Sequence, residues 1–149
     1  MENEEKKKET GALREKLDAR GAHFTRQRAA VYDYLRQVDH HPTADEIYLA
    51  VKSGLPKISL ATVYKNLEAL VDCGAASKLT YGDAAARYDI RTDHHFHSRC
   101  RICGKIADVE PVRSDALLGL IDLQAGFSIE NWRIEVIGIC LKCKEIRRD

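Results

Sequence analysis

The sequence predicts an α+β protein built from two small domains, a winged helix-turn-helix over residues 1–91 and a small α/β domain over residues 92–149. Three helical patterns come first, and two short extended runs around Gly82 and Asp83 follow them directly. That order of elements is typical of a winged helix-turn-helix. Four closely paired cysteines all lie after residue 91, which indicates a second domain organised by a metal ion.

Capping residues and apolar spacing predict the helices of the first domain. Residues 1–9 lack apolar periodicity and are expected to form a disordered extension, with a short helix following around Leu13 to Ala19. The next three helices are expected to begin after hydroxyl side chains that can accept backbone N–H groups. These caps are Thr25, Thr43 and Ser59.

The third of these capped helices, residues 60–72, is the candidate recognition helix. Its apolar stripe consists of Val63, Leu67, Leu70 and Val71, and the opposite face is small, polar and basic at its N-terminal end. Such a face suits insertion into the major groove of DNA, but it is also typical of a helix exposed to solvent. The hairpin predicted over residues 75–81 and 86–90 favours the first interpretation.

The second domain is expected to contain extended runs over residues 95–101, 105–109 and 127–139, with a helix that starts after Ser114. This order predicts a small α/β domain.

The formal net charge of the 149 residues is only +1, so bulk charge cannot attract nucleic acid or anionic lipid. Any contact with DNA must depend on local placement of basic groups. The N-terminal residues are charged and contain no apolar run of signal-peptide length. We therefore expect a cytoplasmic protein with no membrane partner, in a compartment where the five cysteines do not form structural disulfides.

Two Cys-x-x-Cys pairs predict a structural zinc site. Each pair lets both sulfur atoms reach one ion, and four thiolates suit tetrahedral Zn²⁺ with no open position. A redox dithiol or an iron–sulfur cluster is the alternative, but two pairs favour zinc. Cys73 stands alone and is expected to be a small apolar residue. The proposed zinc ligands are Cys100, Cys103, Cys140 and Cys143.

A second metal site is predicted around His95 and His97. In an extended strand these two imidazoles share one face, so they form a bidentate pair. Spacing alone does not decide which groups complete the site. The candidates are His41, Asp89, Asp93 and Asp108. A set of nitrogen and oxygen ligands suits ferrous iron, manganese or zinc.

Five separated motifs resemble the ferric uptake regulator family of bacterial metal-responsive repressors. They are HPTADEIY at 41–48, SLATVYKNLEALVDCG at 59–74, YDIRTDHHFH at 88–97, CRICGK at 100–105 and CLKC at 140–143. The resemblance implies a repressor with an N-terminal winged helix that binds double-stranded operator DNA and a C-terminal domain that forms a homodimer. It implies no enzymatic activity and no small organic substrate.

The resemblance also implies a ligand set for each metal. The four paired cysteines hold the structural zinc, and the regulatory ion, Fe²⁺ or Mn²⁺ with Zn²⁺ possible in their place, binds His41, Asp89, His95, His97 and Asp108. Aspartate stands at both acidic positions, which is similar to the peroxide-stress regulators. These sense peroxide through oxidation of a ligand histidine, and the resemblance implies His41 and His95 as the targets here. The alternative within the family is a ferric, zinc or manganese uptake regulator that responds to metal level alone.

For DNA contacts, we expect basic residues in the first turn of the helix after Thr25 to reach phosphates and the exposed side of the recognition helix to reach bases. These residues are Arg26, Arg28, Ser59, Thr62, Tyr64 and Lys65. Lys65 replaces the asparagine common in peroxide regulators. Phe96 and Trp132 stand where many members place ligands of an additional metal site, so that site is expected to be absent or altered, with His94 left over from it.

Two interpretations from other classes compete with a repressor. The histidine and aspartate cluster could be a hydrolytic zinc site, although the sequence offers no evident general base. The paired cysteines could alternatively belong to a structural zinc-ribbon interaction module. The hydrolytic interpretation leaves the recognition helix and the hairpin unexplained, and the zinc-ribbon interpretation predicts DNA binding that does not respond to removal of the regulatory metal.

Overall fold

The structure, a computed structural model, describes residues 2–82, 84–93, 95–110 and 133–146, with only the backbone described for residues 2–7. The chain divides into two compact units, Met1–Thr92 and Asp93–Asp149. No helix in these described ranges combines the length and apolar character that a membrane crossing requires.

The first unit contains four helices and a two-stranded antiparallel hairpin. Its elements are α1 (Glu2–Asp18), α2 (Arg26–Gln37), α3 (Ala44–Val51), α4 (Leu60–Asp72), β1 (Ser77–Leu79) and β2 (Arg87–Asp89). The strands pair with Ser77 opposite Asp89 and Leu79 opposite Arg87. Both strands are shorter than the extended runs that the sequence predicts, but the hairpin follows α4 as expected.

The three predicted N-caps are confirmed. The hydroxyl of Thr25 accepts the N–H of Arg28 at 3.2 Å, and that of Ser59 accepts the N–H of Thr62 at 3.1 Å. At the start of α3, Thr43 accepts the N–H of Glu46 at 3.3 Å while a Glu46 carboxylate oxygen accepts the Thr43 N–H at 2.7 Å. Each cap satisfies backbone donors that a helix leaves unpaired at its first turn.

The core of the first unit lies between these helices. Apolar side chains at helical spacing are removed from water, which is the main favourable contribution to folding. The fully buried members include Leu17, Leu35, Ile47, Val63, Leu67, Leu70 and Tyr88. Helix α4 therefore packs through the predicted stripe, and its opposite face is left accessible.

Helix α1 corrects the expectation of a disordered extension over residues 1–9, because it begins at Glu2. Glutamate and lysine are good helix formers, and opposite charges four residues apart stabilise a helix. Leu13 and Leu17 anchor the helix in the core, so the charged turns before them continue an element that is already fixed. Hydrophobic periodicity does not report this effect.

The described residues of the second unit form a three-stranded sheet and a short helix. Its described elements are β3 (Phe96–Cys100), β4 (Ile106–Val109), β5 (Glu135–Gly138) and α5 (Leu141–Ile146). Strand β3 is central, antiparallel to β4 and parallel to β5. The helix predicted after Ser114 and residues 127–132 of the last predicted strand lie outside the described residues.

Replacing Leu35 by alanine tests the packing of the first unit. Leu35 is 1% exposed, so Leu35→Ala is expected to lower the free energy of unfolding by about 2–5 kcal/mol, since it leaves a cavity. The control Leu49→Ala, at a side chain 71% exposed, is expected to change it by less than about 0.5 kcal/mol. Urea unfolding followed by circular dichroism measures both, and equal effects would contradict this description of the core.

Candidate metal centres and DNA-facing helix

Four sulfur atoms converge in the second unit at the end of β3 and the start of α5. The Sγ atoms of Cys100, Cys103, Cys140 and Cys143 lie within 4.8 Å of one another. Cys103 and Cys140 are separated by 3.7 Å between sulfurs, far longer than a disulfide bond of about 2.05 Å. In a tetrahedron with Zn–S distances of about 2.3 Å the sulfurs lie about 3.8 Å apart. The cluster therefore has the dimensions of a closed tetrathiolate zinc site.

The backbone around these sulfurs favours thiolate at one position. The N–H of Cys140 donates to the Cys100 sulfur at 3.3 Å. Donation from the backbone N–H groups of Cys103 and Cys140 lowers the pKa of Cys100 to about 6. Burial and hydrogen bonding to the neighbouring thiols raise the pKa of Cys143 to about 12. A zinc ion would supply the positive charge that allows all four thiols to ionise together.

Two histidines and one aspartate form a half-site in the same unit. The Nε2 atoms of His95 and His97 lie 3.4 Å and 3.6 Å from the same oxygen, Oδ1 of Asp108. His97 and Asp108 are register partners on β3 and β4, so the sheet itself brings them together. These distances are longer than an ordinary hydrogen bond but suit atoms that share one ion at about 2.1 Å from each.

The orientation of the His95 ring is fixed by a carbonyl group. Nδ1 of His95 lies 2.8 Å from the backbone oxygen of Asp93. A carbonyl oxygen can only accept, so Nδ1 carries the proton and the lone pair is on Nε2, which is the nitrogen near Asp108. Metal-binding histidines commonly hold their second nitrogen in this way. In this contact Asp93 contributes its backbone oxygen rather than its side chain.

The first unit contains a second, separate half-site. Nε2 of His41 lies 3.4 Å from Oδ2 of Asp89, and both side chains are nearly fully buried. The other oxygen of Asp89, Oδ1, accepts the backbone N–H of Arg91 at 2.8 Å, which orients the carboxylate. Burying a carboxylate is costly unless it is paired or bound to a metal. His41 and Asp89 are therefore a pair of oriented side chains that could hold a cation.

The loop that carries His41 is held by β2 and α3. Residue 87 is paired with Thr43 in an isolated bridge, and the N–H of Tyr88 donates to the carbonyl of Pro42 at 2.9 Å. Nη1 of Arg87 donates to the carbonyl of His41 at 2.7 Å. Sequence reasoning did not single out Arg87. The available signal was its position two residues before Asp89, which places both on one face of a strand.

Most of the proposed DNA contacts lie at the surface. On α4, Tyr64 and Lys65 are exposed, and at the start of the helix the Ser59 and Thr62 hydroxyls lie 2.8 Å apart. Arg26 is also exposed at the start of α2.

Arg28 corrects the expectation of a phosphate contact. Its side chain is buried, and its guanidinium donates to the carbonyl of His23. The physical reason is helical phase, because Arg28 lies three residues before the core residue Val31 and so turns toward the interior.

Two described residues that the sequence singled out, Phe96 and Cys73, take no part in the two half-sites. Phe96 is a buried apolar residue of β3, as its side chain requires. The sulfur of Cys73 lies 3.4 Å from the carbonyl of Leu70 at the end of α4, so it is locally paired. His94 and Trp132 lie outside the described residues, and the absence of an additional metal site stays a prediction.

Comparisons with known proteins give consistent similarities. The sequence profile described as the ferric uptake regulator family matches residues 19–137. The peroxide-responsive repressor PerR of Staphylococcus epidermidis is 42% identical over 125 residues, which cover 84% of this chain and 83% of that protein. The structure of the Campylobacter jejuni peroxide stress regulator has 33% identity and a TM-score of 0.65, over 78% of this chain and 88% of that chain. The Helicobacter pylori ferric uptake regulator shares the fold, with a TM-score of 0.78 over 90% of each chain at 22% identity.

Removing one sulfur tests the tetrathiolate site. Cys140→Ser is expected to abolish the zinc that copurifies with the protein and to unfold the second unit, because the metal binding energy contributes directly to its folding. Cys73→Ser is the matched control and should keep the full zinc content. Elemental analysis and near-ultraviolet circular dichroism measure both, and full zinc retention in Cys140→Ser would contradict the assignment.

Proposed function

The chain belongs to the ferric uptake regulator family, and from that premise we propose that it is a metal-dependent transcriptional repressor that senses peroxide. One observation carries this proposal. Each unit holds a half-site of histidine and aspartate, His41 with Asp89 and His95 with His97 and Asp108, whose donor atoms converge within that unit. The acidic ligands are both aspartates, and relatives at about 40% identity are peroxide-responsive repressors.

The regulatory ion is proposed to take ligands from both half-sites. The first unit offers two ligands and the second offers three, so neither set alone completes a five- or six-coordinate Fe²⁺ or Mn²⁺ site. An ion that binds all five favours the arrangement of the two units that brings them together. Its differential affinity for that arrangement is the free energy that couples metal binding to DNA binding. Zn²⁺ can occupy the same ligands, and the tetrathiolate zinc remains structural.

DNA binding is assigned to the exposed face of α4. The base edges in the major groove would be approached by Thr62, Tyr64 and Lys65. The phosphate backbone of the DNA would be contacted by the Ser59 hydroxyl and by Arg26. The net charge of +1 makes this placement decisive, because bulk attraction is weak. A homodimer, the assembly typical of the family, would present two such helices to successive half-sites of a double-stranded operator about one helical turn apart. The reduced thiols of the zinc site suit a cytoplasmic location.

The response to peroxide is assigned to the ligand histidines. When bound, ferrous iron would supply the one-electron redox chemistry that cleaves the peroxide O–O bond beside its ligands. Overall, one peroxide oxygen is inserted into a ring C–H bond of a ligand imidazole, and the other leaves as water. The buried ring of His41 and the ring of His95, fixed by the Asp93 carbonyl, are then the expected oxidation targets. An added oxygen atom lowers the basicity of an imidazole, so the five ligands no longer hold one ion. Loss of that shared ion releases the DNA.

Metal-dependent DNA binding is the first test. The DNA is a duplex selected for binding to the metal-loaded protein, and the tetrathiolate zinc is retained throughout. Mn²⁺ or Fe²⁺ is expected to raise the affinity for this duplex at least about tenfold, a coupling free energy of about 1.4 kcal/mol. His97→Ala should lose this response, while the control His40→Ala, at an exposed neighbour of His41, should keep it. Fluorescence anisotropy measures the affinity. Equally tight binding by protein that lacks the regulatory ion would overturn the proposal.

The second test is whether peroxide adds oxygen to the ligand histidines of the iron-loaded protein. After a brief peroxide pulse, the iron-loaded protein is expected to carry one added oxygen on the peptide of His41 or of His95 and to release the duplex. The manganese-loaded protein is the control and should remain unmodified. Peptide mass spectrometry identifies the residue. Unmodified histidines together with unchanged DNA binding would favour an uptake regulator that responds to metal level alone.

A further inference from the structure

Arg87 reaches the metal half-site of the first unit without offering it a ligand. Its Nη1 atom donates to the backbone carbonyl of His41 at 2.7 Å and lies 3.4 Å from Oε2 of Glu46. The same Glu46 oxygen accepts the N–H of Thr43 at 2.7 Å. The guanidinium is therefore held between the loop before α3 and the capping carboxylate of that helix.

Three successive residues of the loop are fixed through their backbone groups. The His41 carbonyl is bound by Arg87, the Pro42 carbonyl by the N–H of Tyr88, and the Thr43 N–H by Glu46. Two of these donors come from strand β2, whose next residue, Asp89, is the carboxylate beside the His41 imidazole. One strand thus fixes both the backbone and the ring partner of His41.

We infer that Arg87 is a positioning residue for the regulatory metal: it fixes the His41 backbone so that the imidazole is already oriented toward Asp89. The guanidinium side chain is 27% exposed and Glu46 is 47% exposed, so their ion pair is weak. The charge-assisted bond to the His41 carbonyl is the stronger contact. This inference rests on the proposed function, in which His41 binds the ion.

The direction in which an Arg87 substitution changes the affinity for the metal distinguishes a positioning role from simple charge repulsion. Arg87 carries a positive charge near a site for a cation, so removing the charge alone would strengthen metal binding. Loss of an outer group that orients a ligand has the opposite effect, typically weakening metal binding by about 10–100-fold. A weakened site in a variant of Arg87 therefore reports lost orientation of His41.

A double-mutant cycle on the full chain tests this inference. The dissociation constant for Mn²⁺ is measured by competition with a fluorescent chelator, with the tetrathiolate zinc retained. Arg87→Ala is expected to weaken binding by about tenfold, and Arg87→Lys, which keeps one donor, by less. In the background of His41→Ala, Arg87→Ala should cost nothing further, because the two residues act as one unit. Arg36→Ala, which removes an arginine paired with Glu9, is the matched control and should bind Mn²⁺ normally.

A second measurement is made without the regulatory metal. Amide hydrogen exchange at Thr43 should be faster in Arg87→Ala than in the unaltered protein. As a control, the exchange rates of amides in the middle of α4 should be the same in both proteins. If Arg87→Ala does not fold, Arg87→Gln replaces it in the cycle, since it keeps part of the stem and removes the charge.

Each outcome supports or overturns one statement. Should Arg87→Ala bind Mn²⁺ normally or more tightly while His41→Ala binds weakly, the inference about Arg87 is wrong and the proposed function stands. An equal loss in both backgrounds also overturns the inference, because Arg87 would then act independently of His41. Should His41→Ala itself bind Mn²⁺ normally, the proposed regulatory site is wrong.

Discussion

The proposed regulation depends on a division of histidine and aspartate side chains between two folded units. His41 and Asp89 are nearly fully buried in the first unit, and the second unit directs two imidazoles at one oxygen of Asp108. Imidazole and carboxylate atoms 3.4–3.6 Å apart are too far apart for strong hydrogen bonds, but they can bind one cation together. Under the proposed function, the free energy of binding that cation would favour one arrangement of the two units.

Each half-site is held by a packed part of its unit, which allows metal binding to be coupled to the arrangement of the two units. In the first unit, the caps of α2, α3 and α4 and the apolar core fix the recognition helix relative to β2 and the His41 loop. In the second unit, the tetrathiolate cluster ties the end of β3 to α5, and β3 carries His97. If the structure around a metal-binding side chain were flexible, metal binding would move only that side chain. The arrangement of the two units would then change little. Close-packed interiors have low compressibility, so a displacement at a half-site is passed on to the elements packed against it.

Local chemistry explains what could be predicted from the sequence. Caps, paired cysteines and the spacing of His95 and His97 depend on residues close in the chain. The three caps form, the four sulfurs converge, and both Nε2 atoms lie near Asp108, although the strand begins only at Phe96. The contact of Arg87 with the His41 carbonyl joins residues 46 positions apart in the chain, so it depends on tertiary packing. The burial of Arg28 follows instead from its helical phase relative to Val31. The start of α1 at Glu2 reflects helix propensity joined to anchoring by Leu13 and Leu17.

Under the proposed function, one ion organises both units. Small-angle X-ray scattering of the zinc-retaining protein, titrated with Mn²⁺, can detect this effect, since scattering reports the distribution of distances within the molecule. We expect this distribution to narrow at one equivalent of added Mn²⁺ and the change to disappear in Asp108→Asn. Stoichiometric Mn²⁺ binding with an unchanged distance distribution would contradict it.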